Sequence, residues 1–299
     1  MVNGMVLKKS IGLLATLALS LTSFTVASAT PKPSVVSSVS EWGFLAREVV
    51  GSHAVITSLL TDPNADPHSH EASLGEAVLV QQARVVIENG AGYDSWLTRL
   101  LANTKSTTAV INVASLMKLA SGANPHLFFN LAAAQAVVVK LENLHKQNGF
   151  AALGANFAPG GSRTLRRLSM LTSSLKTIAT HCTGVKVTAS EDIVGYLLGA
   201  AKLRVVTPRA LRLAIGNGVD PSVSDLASAL QQLTQHPAFF VYNSSTVTPL
   251  TIQLLKQAQS HQVPIIKVPE VEIHGPYTSF VAGIINQMKH ALVKEGCLA

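Results

Sequence analysis

Four short polar clusters hold most of the side chains in this sequence that can do chemistry. They are Asp66-Pro67-His68-Ser69-His70-Glu71, Asn124-Pro125-His126, Thr188-Ala189-Ser190-Glu191-Asp192 and Val268-Pro269-Glu270-Val271-Glu272-Ile273-His274. Histidine and carboxylate together suit either coordination of a divalent transition metal or metal-assisted hydrolysis. Hydrolysis would call for a helical His-Glu-x-x-His or a clear general base beside the ligands. His68 and His70 are instead two residues apart in a proline-containing loop. Taken singly, each cluster also has a structural reading. A loop histidine is most often a surface residue, and Glu191 and Asp192 suit the first turn of a helix starting near Ile193. If the last cluster is extended, Glu270, Glu272 and His274 fall on one face.

The elements that must position these clusters alternate between short β-branched runs and longer helical patterns. Strands are expected over Ser34–Ser38, Ala54–Leu60, Val85–Ile87 and Thr108–Val113, with helices over Glu41–Val50, Leu74–Gln82 and Trp96–Ala102. A second series has strands at Val185–Thr188, Leu203–Val206, Phe239–Tyr242 and Pro264–Val268. Its helices are expected at Ile193–Ala201, Pro221–Thr234, Pro249–Gln259 and Pro276–Lys294. Such β-α alternation indicates parallel sheets with helical crossovers. Every cluster then falls at a strand end or in the loop after it, where ligands bind in open α/β sheets. Between the two series, Leu165, Leu168, Leu171, Leu175 and Ile178 mark an amphipathic helix over Ser162–Thr180. Pro159-Gly160-Gly161 precedes it, so the helix is expected to start late or to be broken.

Composition narrows the function. The 299 residues carry 23 Lys+Arg against 16 Asp+Glu, and 47% are hydrophobic, enough for packed cores. The formal charge of +7 is spread thinly, and Arg163, Arg166 and Arg167 are the only tight basic cluster beyond the N-terminus. Nucleic-acid binding favours a concentrated basic stripe with stacking aromatics, so it is not expected. Lys8 and Lys9, an apolar run from Ile11 to about Val26, and Ala27-Ser28-Ala29 read as a signal peptide cleaved near Ala29. No cysteine near that point offers a lipid anchor, so the mature chain from Thr30 is expected to be exported, to a periplasm. Cys182 and Cys297 are there either a disulfide or two unpaired thiols. Trp42 and Trp96 read as core.

The ordered motifs resemble the substrate-binding proteins of zinc and manganese ABC transporters. Asp66-Pro67-His68-Ser69-His70-Glu71 is similar to that family's Asp-Pro-His-x-Tyr-Glu, with His70 in place of Tyr. Asn89-Gly90-Ala91-Gly92-Tyr93-Asp94-Ser95-Trp96 matches its glycine-rich turn. Asn124-Pro125-His126-Leu127-Phe128 is similar to its Asn/Asp-Pro-His-x-Trp, and Glu191 precedes Tyr196 at the family's spacing. Pro264–Glu270, Tyr242-Asn243-Ser244 and Pro249 are similar to one branch. The resemblance implies an α/β fold of two lobes, each a parallel-rich sheet flanked by helices, joined by a long rigid connecting helix. The divisions would be 1–29 for the leader, 30–150 and 181–299 for the lobes, and 151–180 for the connecting helix. A divalent ion, zinc or manganese, would sit in the cleft on His68, His126, Glu191 and Glu270. His70 is either a further ligand, a substitute for His68, or a loop residue in place of the family's Tyr, and Glu272 and His274 lie within reach of Glu270's place. The long His-rich loop of some zinc-specific members is absent. The resemblance further implies a monomer that delivers its ion to a membrane permease without catalysis. A metal-dependent hydrolase, and an adhesin or structural protein with a degenerate site, are the rival readings.

Overall fold

Short strands rich in β-branched residues are the first elements the sequence dictates. In a computed structural model they form two separate four-stranded parallel sheets. The structure describes residues 1–2, 32–63, 65–105, 107–120, 122–145, 157–271 and 275–299. All but the first two residues of the expected leader fall outside these, as do Glu272 and His274.

The first sheet has the order β2-β1-β3-β4, with β1 Ser34–Val39, β2 Val55–Leu60, β3 Val85–Glu88 and β4 Ala109–Asn112. Val35 pairs with both Ile56 and Val85, and Ile87 pairs with Ile111. Helices α1 Ser40–Val50, α2 Leu74–Gln82, α3 Ser95–Leu101, α4 Val113–Leu116 and α5 Leu131–His145 belong to this half. The residues Trp42, Leu45, Ala46 and Val49 put one face of α1 into the core. The second sheet repeats the plan as β6-β5-β7-β8, with β5 Lys186–Ala189, β6 Arg204–Val205, β7 Phe240–Asn243 and β8 Ile265–Val268. In each sheet the chain crosses back over its first strand, which creates a switch point at the carboxyl edge.

In chain order the two sheets are linked by α6, Ala158–His181, and the second half adds α7 Gly195–Ala200, α8 Arg209–Gly216, α9 Val223–Leu233, α10 Pro249–Ser260 and α11 Tyr277–Lys294. Helix α6 is neither late nor broken at Pro159-Gly160-Gly161. Pro159 occupies the first turn, where its missing N–H has no helical partner to lose. A Cβ on Gly160 would come within 2.0 Å of the Val49 carbonyl oxygen, so the glycine lets α6 start hard against the end of α1. The tripeptide that reads as a breaker is a docking point.

Three helices have no counterpart in the sequence reading: the single turn α4, then α5 and α8. Helix α5 buries Ala133, Ala134, Val137, Val138, Leu141 and Leu144, a helical spacing obscured by alanines and three consecutive valines. Helix α8 rests on only two fully packed residues, Leu211 and Ile215, four apart. Helix α11 packs on α1 and α6 as well as on β8. Its first turn is tied to the first half of the chain: the Thr278 N–H and hydroxyl each donate to Glu48 at 2.8 Å, and Tyr277 donates to the Phe128 carbonyl.

Cys182, at the end of α6, forms a disulfide with Cys297, closing a span of 115 residues with a Cα–Cα distance of 5.4 Å. Loop-entropy reasoning for a span of that length gives a stabilisation of about 2–5 kcal/mol. Denaturant titration with and without reductant is expected to show a midpoint lowered accordingly. An unchanged midpoint would mean that the link constrains nothing the fold does not already hold. Among the described residues no helix is long and apolar enough to cross a membrane.

Candidate metal centre

Each candidate ligand is carried by a loop that other side chains pin down. His68 follows β2, where Asp66 Oδ1 accepts the His68 backbone N–H at 2.9 Å and Trp96 Nε1 donates to the Pro67 carbonyl at 3.2 Å. Its ring stands edge-on to Tyr93, with centroids 5.0 Å apart. The loop holding His126 is fixed by Asn89, whose Nδ2 donates to the Pro125 carbonyl at 2.8 Å while its Oδ1 accepts from Trp42 Nε1 at 3.0 Å. Asp94 in turn accepts the amides of Asn89 and Gly90 at 2.6 and 2.8 Å. Gly90 has φ +75°, and a Cβ there would lie 2.7 Å from Asn112 Oδ1, so only glycine fits. The Asn89–Trp96 motif therefore supplies no ligand. It is the bracket on which both histidine loops hang, and Trp42 and Trp96 serve it as hydrogen-bond donors while remaining buried.

The tautomer of His126 follows from the network. Asn124 faces the His126 backbone N–H at 3.0 Å, which can only donate, so the atom facing it is Oδ1. The same oxygen lies 2.8 Å from His126 Nδ1, so Nδ1 carries hydrogen and Nε2 is left to face the cleft. Asn124 also donates from Nδ2 to the Asp192 carbonyl at 2.6 Å, fastening this loop to the second half.

Glu270 comes from the turn after β8. Its Oε1 lies 2.8 Å from His126 Nε2 and accepts from the Tyr93 hydroxyl at 3.2 Å. Its Oε2 accepts from Asn243 Nδ2 at 2.5 Å, and its backbone N–H donates to Ser245 Oγ at 2.9 Å. Ser245 reaches across to donate to the Pro63 carbonyl at 2.7 Å. Donor atoms of His68, His126 and Glu270 lie within 4.8 Å of one another. Glu191 lines the same cavity of about 400 Å³ but stands outside that trio, with Oε1 accepting from Thr246 Oγ1 at 3.3 Å. His70 turns away: its Nε2 meets Glu76 at 3.0 Å and its ring stacks edge-on to Trp96 at 4.6 Å. Glu76 closes the capping box of α2 with Ser73, so His70 belongs to a helix start. Replacing His70 with Phe is expected to leave metal affinity within about twofold while weakening α2 by roughly 1 kcal/mol. Calorimetric titration and thermal unfolding check the pair.

Asn243, Asn124 and Tyr93 are the site residues that sequence reasoning missed as functional. The available signal was Asn243 at a strand's carboxyl end beside the second sheet's switch point.

Burial shapes the charges. It pushes His126 down, but the Glu270 carboxylate and its hydrogen bond outweigh that and raise the imidazole above its ordinary value. Burial pushes Glu270 up, and the His126 charge overrides it, holding that carboxyl below its ordinary value. Glu191 is raised to about 7, by burial first and the Glu270 charge second. His126 and Glu270 face each other as a buried pair between the halves, and Glu191 holds its proton more readily than an ordinary carboxyl. Two imidazoles and one carboxylate without a thiolate, the trio that converges here, suit a divalent transition metal ion.

Two parallel-sheet lobes with histidine and carboxylate donors in the cleft define the class of metal-binding substrate-binding proteins of ABC transporters. Solved structures share the fold. FpvC from Pseudomonas aeruginosa, a substrate-binding protein in complex with Ni²⁺, matches with a TM-score of 0.68 at 19% identity, covering 88% of this chain and 98% of that one. The periplasmic zinc-binding protein TroA from Treponema pallidum matches with 0.68 at 16% identity, covering 87% and 99%. A Cd-bound periplasmic metal-binding protein from Candidatus Liberibacter asiaticus matches with 0.62 at 17%, covering 87% and 100%. The chain belongs to the family of periplasmic zinc-uptake complex component A proteins (ZnuA), whose pattern matches residues 35–291.

Proposed function

We propose that this protein is exported to the periplasm, captures one zinc or manganese ion in its cleft and passes it to an ABC-transporter permease. The observation that carries this reading is the convergence of His68, His126 and Glu270 from distant parts of the chain within 4.8 Å. Glu191, in the wall of the same cavity, is the proposed fourth ligand, closing on the ion as its proton leaves. Family membership supports the metal and the transporter. The Lys8-Lys9 start and the Ala27-Ser28-Ala29 end of the first apolar run support export with cleavage near Ala29. On this reading the lobes span 30–150 and 181–299 around a connecting segment at 151–180, and the chain acts as a monomer that binds without turnover.

Protein lacking the first 29 residues, stripped of metal and dialysed, tests this. Zn²⁺ or Mn²⁺ is expected to bind at one ion per chain and to raise the melting temperature, since a ligand specific to the native state stabilises it. Elemental analysis and competition titration then rank the two metals. No thermal shift with either ion would overturn the proposal.

A further inference from the structure

The Arg163-Arg166-Arg167 cluster has no part in the metal centre. Two of its members, Arg163 and Arg167, line a cavity of about 370 Å³ between the end of α1 and the start of α6, where Arg47, Glu48 and His53 join them. Arg166 does not line it. Glu48 is the one acid in the wall, and its oxygens are already engaged. Oε1 accepts from the Thr278 N–H at 2.8 Å, while Oε2 accepts from the Thr278 hydroxyl at 2.8 Å and from Arg167 at 3.2 Å. Arg47 and Arg163 pair with no carboxylate among the described residues. The wall between them is stiff, because Gly160 seats the α6 backbone directly on Val49.

The geometry points to a second binding site here, for a phosphate-bearing anion. Arg167 spends charge on Glu48, but the two remaining guanidinium groups present donor forks to one small polar space. A phosphate offers enough acceptor oxygens to engage both forks at once, which a carboxylate with two oxygens does less well. The volume is that of a small-molecule pocket at the lower end of the usual range, room for a phosphate group with a modest organic substituent. Both arginines are exposed, so binding is expected to be modest and to weaken with salt. The same chemistry serves a soluble phosphate compound or the headgroup of an anionic phospholipid.

The test uses the mature chain, wild type and R47Q/R163Q, with metal binding measured in both to show that the fold is retained. Inorganic phosphate is titrated by calorimetry and thermal shift against sodium chloride of equal ionic strength. Co-sedimentation is measured with vesicles of pure phosphatidylcholine and with vesicles containing phosphatidylglycerol. The wild type is expected to bind phosphate, phosphatidylglycerol vesicles or both, at least about tenfold more tightly than R47Q/R163Q. Phosphate binding alone assigns a soluble ligand, and vesicle binding assigns the lipid headgroup. Absence of both in the wild type, or equal binding by the double variant, overturns the site.

Discussion

Replacing His126 with Ala is expected to weaken Zn²⁺ or Mn²⁺ binding by more than the roughly 10–100-fold cost of losing an outer-shell group, because it deletes a donor outright. It is also expected to destabilise the metal-free protein by about 3–5 kcal/mol, since it leaves the Glu270 carboxylate buried without its cationic partner. Competition titration reads the first effect and denaturant unfolding the second. The combination is diagnostic. A residue that only shaped the loop would lower stability without removing the ion. A surface histidine, such as a degenerate site would contain, would do neither. Asn243→Ala makes a useful comparison, because Asn243 holds Glu270 without facing the ion itself.

Metal affinity is expected to climb steeply with pH, by about tenfold per unit for each proton the ion displaces. Two groups supply those protons. His126 must lose the Nε2 hydrogen that it shares with Glu270, and its raised value keeps that hydrogen in place above the ordinary imidazole range. Glu191, raised to about 7, is protonated over much of the mildly acidic range and must ionise to act as a ligand. Calorimetry in buffers of different ionisation enthalpy is therefore expected to find between one and two protons released near neutral pH. Release of none would remove both groups from the ligand set.

The metal-free protein has the opposite preference. Stability from the raised His126 is fully present below its unfolded value and is lost as pH rises through its folded one. Glu191, raised from 4.5 to about 7, adds its own loss at lower pH, as pH rises from about 4.5 through 7. Glu270, held low, contributes stability above the ordinary carboxylate range and loses it as pH falls through its folded value. The empty fold is thus best served by mild acidity and the loaded one by neutral or alkaline conditions. One proton and one cation compete for the same nitrogen.

Much of this was legible in the sequence, and the reasons differ by element. The strands could be read because they are short runs marked by valine, isoleucine and other β-formers and bounded by turns, although serine makes up half of β1 and β6 is only Arg204–Val205. Their observed ends lie within two residues of expectation. Helix α5 was not legible because alanine and valine fill its buried face without contrasting strongly with the exposed one. The start of α6 was misread because proline and glycine carry opposite meanings at a helix's first turn and in its interior. At the metal centre, residue types and motif order pointed to His68, His126 and Glu270, which the fold brings together. The same reasoning gave Glu191 equal standing, whereas the structure sets it back from the trio. His70 shows the limit of spacing arguments. Two residues from His68, it points to Glu76 and Trp96 because a helix cap and an aromatic edge satisfy its ring.

The anchoring of the first turn of α11 to Glu48 and Phe128 bears on how cargo leaves. The backbone departs the first half through α6, whose opening turn is pressed against α1, and a few residues beyond Glu270 it is fastened to that same half again. With both straps fixed to one jaw, a wide swing of the other would tear hydrogen bonds that no ion replaces. Loading and unloading are then expected to rely on small displacements at the mouth, where Asp66, Ser245 and Thr248 line the cavity. Filled and empty molecules are therefore expected to share nearly the same silhouette, which small-angle scattering of metal-loaded and metal-stripped protein checks.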